Sequence, residues 1–306
     1  MKHLGISGGG TKIGGLFGVV ETLYKKGFRP DIISGISAGA ILSVPLALGK
    51  FDQIRKLVLN ISLDDFFSQK PVQKNGSLTL GAAWKAITGK TFLGQQENLE
   101  KTLRSVISEK DFSAFKHENK YPVCIIGTVD FITGGRKYFN LKECSYEEFP
   151  RLVNASASLP VFTEGIRIRV RETHTYLYDG GVRDHIATAW VLTKSEFKDK
   201  ITESISVFSR PEDYELLPSD FKDKNIVKIL ERYVDITNVE VSKNDEYMLD
   251  TLCDQKKIRN TKLFLPRIMK STYDTNRERL LLMYKAGLAE GEKYEPELKD
   301  KVKFRK

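Results

Sequence analysis

The five residues Gly35-Ile36-Ser37-Ala38-Gly39 have the spacing of a serine nucleophile at a tight turn between a strand and a helix. A short apolar run at residues 32–33 precedes them, and a helix-prone segment over residues 38–48 follows. The glycines permit backbone angles and close approaches that a Cβ would obstruct, and a helix N-terminus favours negative charge beside the hydroxyl. Ser37 is therefore a candidate nucleophile, although the same two glycines would also suit an ordinary strand-to-helix turn.

A second glycine loop, Gly8-Gly9-Gly10-Thr11-Lys12, lies near the N-terminus. The phosphate loop G-x-x-x-x-G-K-[ST] would need lysine where Thr11 stands, and the dinucleotide pattern G-x-G-x-x-G would need glycine at Ile13. Both nucleotide-binding patterns therefore fail on spacing. A nest of backbone N–H groups that binds the oxyanion of an acyl-transfer intermediate fits better, with its donors among Gly8, Gly9 and Gly10.

A serine nucleophile also needs a base, which is normally a histidine held by a carboxylate. The chain has four histidines, and none lies in an obvious catalytic turn. Asp179, ahead of Gly180 and Gly181 at the end of a predicted strand, is a candidate for direct proton abstraction. The order Ser37, Asp179, His185 also matches a compressed Ser-Asp-His triad, and this alternative stays open.

Hydrophobic periodicity places these residues on an alternating pattern of strands and helices. Strands are predicted over residues 3–7, 32–33, 123–129, 136–140, 166–171, 175–178, 204–208 and 263–265, and helices over 13–26, 38–48, 225–234 and 275–289. Residues 51–120 are mostly helical in pattern, and 154–160 are predicted to form a loop. Because the order strand, loop, helix, strand implies parallel strands, both glycine loops should lie at one carboxyl edge of the sheet.

Four motifs, in this order and approximate spacing, resemble those of the patatin-like phospholipases over residues 3 to about 190. They are Gly8-Gly9-Gly10 with Lys12, Gly35-Ile36-Ser37-Ala38-Gly39, Ala155-Ser156-x-x-x-Pro160 and Asp179-Gly180-Gly181. The resemblance implies a three-layer α/β/α sandwich with a mainly parallel central sheet. Residues 1–210 would form the catalytic domain, and residues 211–306 a helical region that completes or caps it.

The same resemblance implies a chemistry. Ser37 would attack a lipid ester, Asp179 would act as general base and then acid, and Gly8, Gly9 and Gly10 would form the oxyanion hole. Lys12 would stabilise loop or carboxylate charge, and Gly35, Gly39, Gly180 and Gly181 would support the site. No metal or other cofactor is implied, the substrates would be phospholipids or other acyl esters, and family members can require an activator.

Two positions depart from the family pattern. The family usually has glycine directly after the basic residue of its first motif, whereas Ile13 intervenes here, which leaves the identity of the oxyanion donors open. The family often has asparagine and proline where this chain has His185 and Ala187. We expect His185 to replace the hydrogen bonds of that asparagine rather than to act in catalysis. A catalytically silent lipid-binding module remains a further alternative.

Composition narrows the partners only slightly. Lysine and arginine outnumber aspartate and glutamate by 49 to 40, but this excess is spread along the chain, so it favours anionic partners without selecting one. The resemblance to the patatin-like phospholipases adds the expectation that the partner is a lipid and not a nucleic acid. Three widely spaced cysteines indicate a reducing compartment such as the cytoplasm. The N-terminus lacks the features of a secretory signal, and the longest apolar stretch, residues 40–48, is less than half a membrane span, so we expect peripheral membrane contact.

Overall fold

The computed structural model describes residues 1–73, 77–170, 173–214 and 226–296. Within these residues, eight strands form one sheet in the order β5-β6-β3-β2-β1-β7-β8, with β4 paired to β3 off this path. The strands are β1 Lys2–Ile6, β2 Ile32–Ile36, β3 Val123–Asp130, β4 Gly135–Asn140, β5 Ile166–Val170, β6 Thr173–Asp179, β7 Glu203–Phe208 and β8 Arg259–Phe264. The central strands β3, β2, β1, β7 and β8 are parallel, whereas β4, β5 and β6 pair antiparallel with their neighbours. The predicted mainly parallel sheet is confirmed.

Helices cover both faces of this sheet. They are α1 Ile13–Lys25, α2 Ala38–Ala47, α3 Phe51–Asn60, α4 Leu80–Ile87, α5 Glu97–Val106, α6 Glu109–His117, α7 Glu148–Ser156, α8 Thr188–Thr193, α9 Ile226–Lys256 and α10 Arg277–Gly291. Ile33 and Ile126 pack into the larger core with α1, α2 and α10, and their neighbours Ile32 and Ile125 pack into the smaller core with α8 and α9. Because successive strand residues face opposite sides, this division gives three layers.

Two predicted elements differ from the structure. Residues 154–156 form the last turn of α7 instead of a loop, because their small polar side chains make hydrogen bonds within the fold. Helix α9 extends to Lys256, far beyond the predicted end at residue 234. The prediction ended too early because Ser242 and Asp245, which are buried on α9, are polar and so interrupt the apolar periodicity that indicates a helix. The predicted turn at residues 74–77 and the end of the predicted strand 166–171 fall partly outside the described residues.

The topology brings three chain segments to one edge of the sheet. β1 and β2 are parallel, with Ile6 opposite Gly35, so the two glycine loops that follow them are adjacent as predicted. β6 runs antiparallel to β3 and ends with Asp179 opposite Thr128. The preceding β3 residue, Gly127, pairs with Ile36, so β6 ends beside the residue that precedes Ser37.

The C-terminal part of the described chain contributes to the same core. β8 pairs with β7 and extends the sheet, and α10 packs closely against α1. A Cβ on Gly287 would lie only 2.0 Å from the carbonyl oxygen of Gly15, so glycine is needed where these helices meet. None of the described helices has both the length and the apolar character needed to cross a membrane.

Candidate active site

Ser37 stands at a sharp turn between β2 and α2. Its backbone adopts φ 52° and ψ −114°, which is a strained conformation for a residue with a side chain. A Cβ on Gly35 would lie 2.3 Å from the Gly39 carbonyl carbon, and one on Gly39 would lie 2.2 Å from the Ile6 oxygen, so neither position accepts a larger residue. α2 begins at Ala38, which places the positive end of its dipole beside the Ser37 hydroxyl.

The end of α7 holds both predicted reactive residues by hydrogen bonds. The Ser37 N–H donates to Ser156 Oγ at 3.1 Å, and that hydroxyl donates to the Gly127 carbonyl at 2.7 Å. Just beyond the helix, the Ser158 carbonyl accepts the Asp179 N–H at 2.8 Å. The sequence motif contained Ser156, but this role could be recognised only once the fold was known.

Asp179 is buried at the end of β6. Its Oδ1 accepts the Gly181 N–H at 2.7 Å. Burial raises the pKa of Asp179 to about 6, while hydrogen bonds from the Gly181 N–H and the Ser37 side chain offset part of that rise. A Cβ on Gly180 would lie 2.6 Å from the Gly127 oxygen, so this glycine allows the chain to pass close to β3 directly after the carboxyl.

The first glycine loop borders Ser37, but its three N–H groups are not equivalent. A Cβ on Gly8 would lie 3.3 Å from the Ser37 Cβ, so the loop and the serine are in contact. The Gly8 N–H donates to the His185 carbonyl at 3.0 Å and is therefore not free for a substrate. Within the described part of the chain, the N–H groups of Gly9 and Gly10 have no acceptor. The oxyanion prediction thus narrows from three donors to these two.

Lys12 closes the glycine loop and lines the same cavity. Its main-chain N–H donates to the Gly9 carbonyl at 3.1 Å. Burial lowers the pKa of the Lys12 ammonium, the Asp235 charge raises it, and the Arg267 charge lowers it. The Lys12 main chain therefore closes the turn of the loop, and the residue borders the cavity.

His185 also faces this cavity, and its main chain connects the glycine loop to α9. The His185 N–H donates to Asp245 Oδ2 at 2.6 Å, while its carbonyl accepts the Gly8 N–H. Burial lowers the pKa of the His185 imidazole to about 3, so the ring is neutral. Its Nδ1 has no hydrogen-bond partner among the described residues. Burial, with a smaller contribution from the Asp184 charge, raises the pKa of Asp245 to about 7.

These residues surround a cavity of about 80 Å³. It is lined by Gly8, Gly9, Gly10, Lys12, Ser37, Leu159, Asp179, Gly181, His185, Ser209, Arg210, Tyr214, Asp235, Asn238, Val239, Ser242 and Thr272. The wall that α9 supplies was not predicted. Arg210, which follows β7, is bound to this wall: its buried guanidinium donates from Nε to Ser242 Oγ at 2.7 Å and pairs with Glu246. A basic residue shortly after a strand is too common a pattern for sequence analysis to have selected it.

Comparison with known proteins identifies the family of this chain. The family model described as patatin-like phospholipase matches residues 4–189. YqhO of Bacillus subtilis, whose name describes it as uncharacterized, is 27% identical over 201 residues, which are 61% of this chain and 65% of that protein. This chain therefore spans less than two thirds of the length of that relative.

Two solved structures are similar to this chain to different degrees. VipD from Legionella pneumophila superposes with a TM-score of 0.51 at 12% identity, over 95% of this chain and 66% of VipD. The type III effector protein ExoU, known from Pseudomonas aeruginosa, superposes with a TM-score of 0.43 at 16% identity, over 95% of this chain and 51% of ExoU. At such identity the likeness to VipD shows the fold.

Proposed function

Because the chain belongs to the patatin-like phospholipase family, we propose that it is a lipid acyl hydrolase of the phospholipase A type. It would cleave carboxylic esters of membrane lipids through an acyl-enzyme on Ser37. One observation carries this proposal. The strained Ser37, the buried Asp179 carboxyl and the unpaired N–H groups of Gly9 and Gly10 converge on one cavity among the described residues.

Each of these groups has a part in the proposed reaction. Asp179 accepts the Ser37 proton as the serine oxygen attacks the ester carbonyl, and the N–H groups of Gly9 and Gly10 stabilise the resulting oxyanion. The C–O bond to the leaving alcohol then breaks, and Asp179 returns the proton to that oxygen. Water then attacks the acyl-enzyme with Asp179 again as base. The bond between the acyl carbon and Ser37 Oγ breaks, and Asp179 returns the proton to that oxygen as the fatty acid leaves. Each oxyanion donor in such sites lowers the barrier by about 3 kcal/mol.

The environment of the cavity favours Asp179 over His185 as the base. Burial raises the pKa of Asp179 to about 6 and lowers that of His185 to about 3, so the carboxylate binds a proton more tightly than the imidazole. A general base with a pKa near the working pH is both available and effective. A triad also needs a carboxylate that orients the imidazole, and His185 Nδ1 has no such partner within the described residues. These features favour a Ser–Asp dyad.

The experiment that tests the proposal measures fatty-acid release from mixed phospholipid vesicles by mass spectrometry, together with labelling of Ser37 by a fluorophosphonate probe. Ser37→Ala and Asp179→Asn should each abolish release while circular dichroism shows an intact fold. Ser43→Ala is the matched control, because Ser43 is a buried serine on α2 that bonds the Ala40 carbonyl and does not line the cavity. Folded protein that neither releases fatty acid nor reacts with the probe would instead be a silent lipid-binding module.

A further inference from the structure

Helix α4 presents an apolar face to solvent. Leu80, Trp84 and Ile87, spaced i, i+4, i+7 and thus on one side of the helix, are 89%, 68% and 80% exposed. The opposite side of α4 is anchored, since Ala82 is buried and its N–H donates to the Thr79 hydroxyl that caps the helix. We call Leu80, Trp84 and Ile87 the α4 face. An ordered helix that turns its large apolar side chains outward is typical of an interaction surface.

The sequence segment that carries the α4 face is basic. The segment from Phe66 to Gln96 contains four lysines, at positions 70, 74, 85 and 90, and no aspartate, glutamate or arginine. The Lys85 ammonium is buried over the Phe92 ring, 4.6 Å from its centre, and has no hydrogen-bond partner among the described residues. Two acidic groups outside the segment act on it: Asp64 pairs with Lys70, and Glu164 acts on Lys85. An apolar face flanked by lysines is complementary to a bilayer with anionic head groups.

The segment that carries α4 is joined to the rim of the cavity. The Leu93 N–H donates to the Val161 carbonyl, and the Gly94 N–H to the Phe162 carbonyl, both at 2.9 Å. Phe162 packs with Val72, Leu78 and Leu159 in a small apolar cluster, and Leu159 lines the cavity. The helix therefore lies on the same body of structure as the entrance to the site.

We propose that the α4 face docks this protein on a bilayer that contains anionic phospholipid. The three apolar side chains enter the boundary between head groups and acyl chains, and the exposed Lys90 just beyond α4 meets a lipid phosphate. This inference rests on the proposed function, because a lipid hydrolase must take its substrate from a bilayer. The occupant is a membrane surface and not a second protein, since an exposed apolar helix face in a segment whose sequence has lysines and no acidic residue is complementary to a bilayer with anionic head groups.

Trp84 provides a direct measurement. The chain has two tryptophans, and the other, Trp190, is stacked on Tyr138 at 4.4 Å in the smaller core. In the Ser37→Ala protein, which should leave the lipid intact, phosphatidylcholine vesicles containing phosphatidylserine should shift the Trp84 emission to shorter wavelength, and vesicles of phosphatidylcholine alone should shift it less. Replacing all three α4-face residues by serine should weaken cosedimentation with the mixed vesicles by about tenfold or more.

The matched control is Leu281→Ser with Leu282→Ser on α10, where the two leucines are 43% and 54% exposed. This control should sediment with vesicles as the parent protein does. On a soluble short-chain ester the α4-face variant should keep the wild-type rate, whereas its rate on vesicles should fall with its binding.

Two results would overturn the docking proposal. One is unchanged vesicle binding by the α4-face variant. The other is a wild-type dimer, seen by light scattering, that dissociates in this variant, together with a Trp84 emission that does not change when vesicles are added. A second copy of the chain would then cover the α4 face. Failure of the hydrolase proposal would look different, because vesicle binding would persist without ester cleavage.

Discussion

Replacing Asp179 by asparagine should make the protein more stable at neutral pH while it abolishes hydrolysis. Burial raises the pKa of Asp179 from 3.8 to about 6. Between these two values the unfolded chain has lost the Asp179 proton and the folded chain still holds it, so the free energy of unfolding falls as pH rises. The fall is about 1.4 kcal/mol per pH unit, which gives about 3 kcal/mol in total. Asparagine is neutral and can still accept the Gly181 N–H, so the variant escapes this loss.

Urea denaturation followed by circular dichroism measures this effect. The difference in free energy of unfolding between the Asp179→Asn variant and wild type should grow by about 3 kcal/mol from about pH 4 to about pH 8. Ser37→Ala is the control, because it is equally inactive but keeps the titrating carboxyl. It also loses the Ser37 hydrogen bond that lowers the pKa of Asp179, so its free energy of unfolding should fall with pH at least as much as that of wild type. The wild-type hydrolysis rate should itself rise with pH through about 6, since only the ionised carboxylate accepts a proton. A stability difference that does not vary with pH would refute the reasoning.

Three further variants examine the elements that position the site. Ser156→Ala removes the acceptor of the Ser37 N–H, so the free energy of unfolding should fall by about 1–3 kcal/mol and kcat by about 10- to 100-fold. The control is Ser158→Ala, which loses only a bond to the Asn154 carbonyl and should keep most of the activity. Gly35→Ala would place a Cβ 2.3 Å from the Gly39 backbone and should yield little soluble protein. The control is Gly81→Ala, whose added Cβ would have no atom within 4 Å and which should match wild type in thermal melts. His185→Asn keeps its main-chain bonds and should hydrolyse vesicles within a few-fold of wild type, and a loss of more than about 100-fold in a folded protein would favour the triad.

The parts of the site that could be predicted are those in which a short segment determines its own geometry. Gly35, Ser37 and Gly39 lie within five residues, and the contacts that exclude a Cβ arise inside that turn and against the strand beside it. Asp179 was a candidate base because it ends a predicted strand directly before two glycines. Parallel β1 and β2 place the two glycine loops at one edge, whereas Asp179 reaches that edge from β6, which runs antiparallel to β3.

Other elements could not be predicted, because the residues that matter there are polar and buried. On α9, Ser242 lines the cavity and Asp245 accepts the N–H groups of His185 and Ile186. Apolar residues at these positions would have extended the helical pattern past residue 234. Ser156 ends α7, and its hydroxyl donates a hydrogen bond to the Gly127 carbonyl on β3. Hydrophobic periodicity identifies helices by their contacts with an apolar core, so it misses turns whose contacts are hydrogen bonds.

His185 shows the limit most clearly, because its side-chain type suggested catalysis whereas its contacts suggest support. Asp245 holds the His185 N–H from 60 residues away, and the His185 carbonyl in turn holds the Gly8 N–H from the far end of the chain. Every residue except proline could make these two main-chain bonds, so no residue type at position 185 reveals them. With the Gly8 N–H engaged in this way, the N–H groups of Gly9 and Gly10 are left for an oxyanion. The choice of donors in the proposed mechanism therefore depends on a helix that the motifs do not include.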